Sequence, residues 1–281
     1  MKKIVVEGLK YKYPLAESLA LNDVTFDINQ GEFIGIIGKN LAGKSTLCQA
    51  LVGLVPHFYK GAYGGKVIVD GLEVKHHSIA DISLKVGMVF QNPFTQVTGS
   101  KMTVYEEIAF GLENIGISRT EIIERIDSVL DLLNIEQVKD HNPFDLSGGQ
   151  MQRMAIASII AMKPDILVLD EPTSQLDPVG SEEVFQAIQS LSKHGITVIL
   201  AEHKMEKVAQ YCDRVLLLNN GKVVEFDTPG KVFSREDLEE MGVIAPVYTR
   251  VCKALGVKKA GTDEYPVTLE EAEKVLRGNG A

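Results

Sequence analysis

Cysteine is scarce in this chain: three among 281 residues, Cys48, Cys212 and Cys252. They are odd in number, far apart and in no metal-ligand spacing, which speaks against a disulfide framework or a zinc site and reads as reduced thiols of a cytosolic protein. No basic block is present and the formal net charge is −9, which argues against a primary nucleic-acid surface. No long apolar run is present either. The most apolar stretch, 154–169, is broken by Lys163, Pro164 and Asp165, so it cannot span a bilayer, and any membrane role has to come through a partner. No secretory signal pattern opens the chain. What remains is ordinary for a globular protein, 45% hydrophobic and 24% charged, with length enough for one large or two modest domains.

The stretch that organises the rest is 33–47, FIGIIGKNLAGKSTL. A short apolar run is followed by a loop (Gly38, Lys39, Asn40, Leu41, Ala42, Gly43), then by Lys44, Ser45 and Thr46 and a helix-like segment to about Leu51. This is the pattern G-x-x-x-x-G-K-[ST] of a phosphate-binding loop. Successive backbone N–H groups of a tight loop, backed by a helix N-terminus, wrap the concentrated charge of a nucleotide's phosphates. Glycines let the backbone approach closely. Lys44 reaches the β- and γ-phosphates and the Ser45 hydroxyl coordinates Mg²⁺.

The chain before the loop reads as two strands, 3–10 and 23–28, with Tyr11 and Tyr13 between them. A flat ring there either stacks on an adenine base or packs in the sheet. Strands follow at 66–70 and 85–90, the second ending in Gln91-Asn92-Pro93. Pro93 forbids continuing a ladder, so the chain leaves the sheet at Gln91, an ordinary loop residue or a ligand of Mg²⁺ or of the attacking water. From Thr103 to about Leu133 the apolar spacing is helical. Leu146-Ser147-Gly148-Gly149-Gln150 then opens a helix to about Ala161, with Ser147 as its N-cap and an anion-binding N-terminus. The apolar run 166–169 ends in Asp170-Glu171-Pro172. A carboxylate pair at a strand end suits metal holding by Asp170 and water activation by Glu171. Ser174-Gln175-Leu176-Asp177-Pro178 leads into a helix over about 179–194, and a buried strand at 197–201 ends in Glu202-His203. Strands 214–218 and 222–227 flank the turn pair Asn220-Gly221 as a hairpin. Strand ends at Ile37, Leu169 and Ala201 thus each deliver a polar group to one sheet edge, where open α/β sheets bind ligands. Past about 235 the chain reads as a small helical appendage. Val243, Val247, Val251 and Leu255 fall on one helix face, and Thr268-Leu269-Glu270-Glu271 forms a capping box. The apolar face packs either on its own domain or on a second copy.

Phosphate loop, LSGGQ, ILVLDE, SQLD and a strand-end histidine, in that order, resemble the ATP-binding cassette (ABC) ATPases over about residues 1–233. The resemblance implies the P-loop α/β cassette fold: a mixed core sheet, an antiparallel β subdomain, a helical subdomain at about 95–160, and a C-terminal helical domain at 234–281. It implies ATP and Mg²⁺ as ligands. By motif position Tyr13 matches the adenine-stacking residue and Gly38 to Ser45 the phosphate loop. Gln91 matches the glutamine at the metal and water, Asp170 the Mg²⁺ carboxylate and Glu171 the catalytic base. Asp177 matches an inter-subunit aspartate and His203 the γ-phosphate histidine. It further implies a composite site, with ATP on the phosphate loop of one subunit covered by Ser147 to Gln150 of a second cassette, the same chain or another. ATP then acts as glue and hydrolysis releases it.

Within that family the chain is similar to the ATPases of energy-coupling-factor (ECF) and cobalt or nickel importers. The cues are Gln91-Asn92-Pro93 with Gln96, Phe110-Gly111-Leu112-Glu113-Asn114, and Glu202-His203-Lys204-Met205. That resemblance implies an integral membrane coupling subunit, a membrane substrate-binding subunit and a peripheral position on the cytoplasmic membrane face. A soluble DNA-maintenance ABC ATPase is the alternative, but that class inserts long coiled coils or a DNA-binding domain, and none lies between Gln91 and Ser147. A translation-type protein carries two cassettes, and here each motif occurs once. One departure stands out: Leu41 occupies a position usually held by glycine, and it strains the loop if φ there is positive.

Overall fold

The computed structural model describes residues 1–278. Its strands in chain order are β1 (Lys2–Lys12), β2 (Leu21–Asn29), β3 (Phe33–Ile37), β4 (Ala62–Val69) and β5 (Leu72–Glu73). They continue with β6 (Val86–Val89), β7 (Ile166–Asp170), β8 (Thr197–Ala201), β9 (Arg214–Asn219) and β10 (Lys222–Asp227). An antiparallel sheet runs β2-β1-β4-β5, and a six-stranded sheet runs β10-β9-β3-β8-β7-β6. In the second sheet β9, β3, β8, β7 and β6 are parallel and only β10 is antiparallel, paired to β9. The register sets Ile36 opposite Ala201 and Asp170 opposite Ala201, so the C-terminal ends of β3, β8 and β7 reach one edge at one level. This is the P-loop α/β cassette architecture, a mixed core sheet with an antiparallel β sheet and helices.

Strands 3, 7 and 8 are buried along their whole length, which is why they read as continuous apolar runs rather than alternating ones. Their period of two still sorts side chains between two cores. Phe33, Ile37, Leu167, Leu169, Val198 and Leu200 face one. Ile34, Ile36, Ile166, Val168, Ile199 and Ala201 face the other, with the antiparallel sheet and the helix Lys44–Leu51. Each side chain buried this way contributes about 1.5–3 kcal/mol relative to exposure.

The helical stretch after Thr103 divides into Val104–Asn114 and Arg119–Leu132. Gly116, at φ 75°, turns the chain between them. With Gly148–Ala161 these helices join the first core, Ile108, Leu112, Ile126, Met154 and Ile160 meeting Leu167 and Val198 there. The latter helix begins at Gly148, directly after its N-cap Ser147, where the capping box of Ser147 and Gln150 closes its first turn.

Beyond Phe233 the structure departs from the spacing argument. The helix is Val247–Ala254, and Val243 lies before it, buried in the first core. Val247, Val251 and Leu255 are 45%, 47% and 60% exposed, so this face does not pack on its own chain. The buried side carries Thr249 and Cys252, and Cys252 clusters with Tyr265 and Ala272. At the next helix the Thr268 hydroxyl accepts from the Glu271 N–H, while the Glu271 carboxylate reaches back to the N–H of Val267.

Candidate active site

The phosphate loop is built where β3 stops. Gly38 has φ 153°, and a Cβ there falls 2.3 Å from the Leu218 carbonyl oxygen, so only glycine lets the loop leave the sheet against β9. The Asn220-Gly221 turn, both residues at positive φ, braces the loop from behind, the Gly221 N–H donating to Ala42 O. Lys39 and Asn40 are exposed and Ala42 is buried. Gly43, at φ 108°, precedes the helix Lys44–Leu51, whose first N–H groups therefore open toward the loop. Lys44 is 5% exposed, and its ammonium donates to Gly38 O and Lys39 O at 3.1 and 3.3 Å. Burial holds it below the ordinary lysine range, with Glu171 and Asp170 working the other way.

Three strand ends deliver the rest. From β7 come Asp170, 5% exposed, and Glu171. Glu171 still donates its N–H to Ala201 O, but its φ of 49° turns the chain out of the sheet, a costly backbone state for a non-glycine residue of about 1–3 kcal/mol. From β8 comes His203, whose Nε2 lies 2.9 Å from Glu171 Oε1. From β6 comes Gln91, whose side-chain amide donates to Glu171 Oε2 at 2.6 Å. Glu171 is thus aimed by two neighbours from opposite sides. Tyr13 stands across the loop, its hydroxyl 3.1 Å from Thr46 Oγ1 and donating to Gln49 Oε1 at 2.9 Å. Its ring meets Tyr11 edge-on at 4.8 Å. A cleft of about 980 Å³ is lined by Tyr13, Asn40, Leu41, Gly43, Lys44, Ser45, Thr46, Gln91, Glu171 and His203.

Whether this cleft suits a divalent cation is decided by Asp170. Its Oδ1 is buried without a hydrogen-bond partner. Burial raises the carboxyl above its ordinary range, and the Ser45 hydroxyl beside it lowers it. An orphaned carboxylate oxygen next to a hydroxyl is the oxygen donor set that Mg²⁺ takes. Gln91, donating through its nitrogen, leaves its carbonyl oxygen as a further donor. The residues fit the ion.

The remaining residues of the sequence pattern lie elsewhere. Ser147, Gly149, Gln150 and Asp177 line a second pocket of about 450 Å³ that shares no residue with the first. Ser147 Oγ accepts from the Gln150 N–H, and Asp177 Oδ1 caps the helix Pro178–Lys193 by accepting from Gly180 N–H at 2.9 Å. A Cβ at Gly148 falls 2.9 Å from Gln175 Oε1, and one at Gly149 3.2 Å from Leu176 Cδ2. The two glycines thus lie against the side-chain ends of Gln175 and Leu176, which places this loop beside the 175–177 segment.

Leu41 has φ 64° and a fully exposed side chain. Leucine there carries left-handed strain with no packing to offset it. Leu41→Gly is expected to stabilise the fold by about 0.5–1 kcal/mol after glycine's own entropic cost. In thermal unfolding that is a midpoint about 1–3 °C higher. An unchanged or lower midpoint contradicts the strain.

Fold and cleft together define a P-loop nucleotide-binding α/β protein. The chain belongs to the ABC transporter family, whose profile matches residues 21–174, and is the ATPase subunit of such a transporter. It is 43% identical to an energy-coupling factor transporter ATP-binding protein, EcfA1, of Streptococcus thermophilus, over 97% of this chain and 96% of that one. Among solved structures it is similar to CbiO1 of Clostridium perfringens, part of the ABC transporter complex CbiONQ, with TM-score 0.74 and 33% identity over 91% of this chain and 96% of that one. It is also similar to the cassette MJ0796 in a dimeric, post-hydrolysis state bound to ADP and Pi, with TM-score 0.72 and 27% identity over 80% of this chain and 98% of that one. No helix among the described residues is long and apolar enough to cross a membrane.

Glu202, Thr173 and Lys204 carry no motif signal of a site, yet their bonds join the His203 side of the cleft to the segment that borders the second pocket. Their only signal is local: a carboxylate in an apolar strand end, a threonine after Pro172 and a lysine after the histidine.

Proposed function

We propose that this chain is the motor of an ECF-type importer, hydrolysing ATP to drive uptake of a small solute, a vitamin or a transition-metal ion, through membrane-embedded partners. The importer reading is supported by the likeness to EcfA1 and CbiO1, and the observation that carries its two-chain site is the separation of the two pockets. Lys44, Ser45, Gln91, Glu171 and His203 surround one, and Ser147, Gly149, Gln150 and Asp177 border the other. Each chain then offers half of two sites, and a second cassette supplies Ser147, Gly148, Gly149 and Gln150 over the nucleotide held by Gly38 to Thr46.

Within one site Tyr13 stacks on the adenine, where such contacts contribute about 1–3 kcal/mol. The loop N–H groups and Lys44 hold the phosphates. Ser45, Asp170 and Gln91 would hold Mg²⁺, which would supply charge neutralisation to the phosphates. Glu171 orients and deprotonates water for in-line attack, Lys44 and the N-terminus of the partner's Gly148–Ala161 helix take up the charge that develops, and His203 senses the γ-phosphate. Coupling to the membrane runs through the segment after Gln91 and the helical subdomain. Phe94, Met102 and Phe144 are 50%, 71% and 56% exposed in these segments, apolar side chains available to a membrane partner.

The test is affinity purification of tagged chain from gently solubilised native membranes, with identification of what accompanies it. A multi-span coupling protein together with a small multi-span binding protein is the expected result. Recovery of this chain alone, or with DNA-maintenance proteins, overturns the importer reading and leaves the ATPase chemistry standing.

A further inference from the structure

Lys204 follows the histidine of the cleft, but its ammonium turns away from it. It donates to the Thr173 carbonyl at 3.1 Å and to Ser181 Oγ at 2.6 Å. The Thr173 carbonyl is also the acceptor that closes the turn to Leu176, whose N–H reaches it at 3.2 Å. Ser181 sits in the first turn of the helix that Asp177 caps, its N–H bonded to Asp177 O at 2.9 Å. One ammonium therefore holds both ends of the segment 173–181, which carries Gln175 and Leu176 against Gly148 and Gly149 and sets Asp177 at the second pocket.

On the other side, the same lysine's backbone is fixed to the cleft. Glu202 is 3% exposed, and its Oε1 accepts from the N–H groups of His203 and Lys204 at 2.8 and 3.3 Å. Its Oε2 accepts from the Thr173 hydroxyl at 2.8 Å. Thr173 and Ser181 are buried as well, at 0% and 2% exposure. Every one of these polar groups is paired, so a shift of His203 cannot be absorbed by one bond alone; it moves the carbonyl and hydroxyl that Lys204 grips.

We propose that Lys204 is a positioning residue that ties the His203 end of a chain's own ATP site to the face, Ser147–Gln150 and Asp177, with which that chain covers its partner's ATP. The proposal rests on the two-chain site of the preceding section. It assigns Lys204 no contact with nucleotide: removing its ammonium leaves ATP binding to a single chain alone and loosens the ATP-bound pair.

The test uses the full chain carrying Glu171→Gln, to hold ATP uncleaved, with and without Lys204→Met or Ser181→Ala. ATP affinity of the single chain is read by nucleotide titration, fold by thermal unfolding, and pairing by light scattering over a concentration series with Mg²⁺ and ATP. Both added variants are expected to keep ATP affinity within about twofold and to weaken pairing, Lys204→Met by at least about tenfold and Ser181→Ala by about threefold, in line with loss of charged hydrogen bonds. Pairing unchanged by Lys204→Met overturns the proposal. So does a parallel loss of ATP affinity, melting temperature and pairing, which marks a merely structural lysine. A parent that binds ATP but never pairs overturns both this proposal and the two-chain site.

Discussion

Glu171→Gln leaves ATP binding intact and lowers steady-state hydrolysis by about 10²–10⁴-fold, the usual contribution of a positioned general base. The geometry separates the two effects. Glu171 is held by Gln91 and His203, whereas in the proposed site the loop and Lys44 hold the phosphates, so the substitution is expected to remove the proton acceptor without disturbing the cradle. Glutamine keeps the side-chain length and one carbonyl oxygen, so the turn at φ 49° survives. Phosphate release at substrate saturation, together with nucleotide titration, reads both halves. Hydrolysis within a few-fold of the unmodified chain removes Glu171 from the chemistry.

Lys44→Ala strikes both binding and turnover. The lysine is the one cation among the residues lining the cleft besides any charge on His203, and it is already desolvated, so a phosphate oxygen replaces its carbonyl partners at little further cost. Loss of a charge-assisted hydrogen bond of about 1.5–3 kcal/mol lowers ATP affinity by about 10–100-fold. Turnover falls further, by at least about 10²-fold, because the charge that develops in the transition state loses a preorganised donor. The fold is expected to hold, since a buried ammonium costs solvation that alanine does not. ATP affinity within twofold of the unmodified chain contradicts this role.

Much of the architecture was legible because the central strands are short, fully buried and closed by polar residues. Strands 3, 8 and 10 lie on the residues the sequence marks, and the order of polar strand ends gave the edge at which they meet. Other features lay outside any local pattern. The Asn220-Gly221 turn signals a hairpin, but its N–H to Ala42 O is set by the neighbouring position of β9 and β3. The left-handed backbone of Glu171 has no signal in a glutamate. The Glu202, Thr173 and Lys204 bonds join segments about thirty residues apart and exist only once β7 and β8 are paired. Val247, Val251 and Leu255 show the limit of periodicity: of the two coverings it left open, the chain's own domain is not the one used. Their spacing establishes an amphipathic helix, but periodicity says nothing of what covers a face, and here the chain itself covers the opposite side.

The two-chain site is tested most directly by mixing two damaged chains. One carries Lys44→Ala, which spoils the phosphate loop, and the other Ser147→Arg, which fills the covering loop with bulk and charge. Each alone has both composite sites spoiled and is expected to be inactive. In an equal mixture half the pairs are mixed, and each of those keeps one intact site of two, so hydrolysis is expected to recover to about one quarter of the unmodified chain's rate. With the unmodified chain active by itself, a mixture no more active than its components, or a Ser147→Arg chain active alone, contradicts a site shared between two chains.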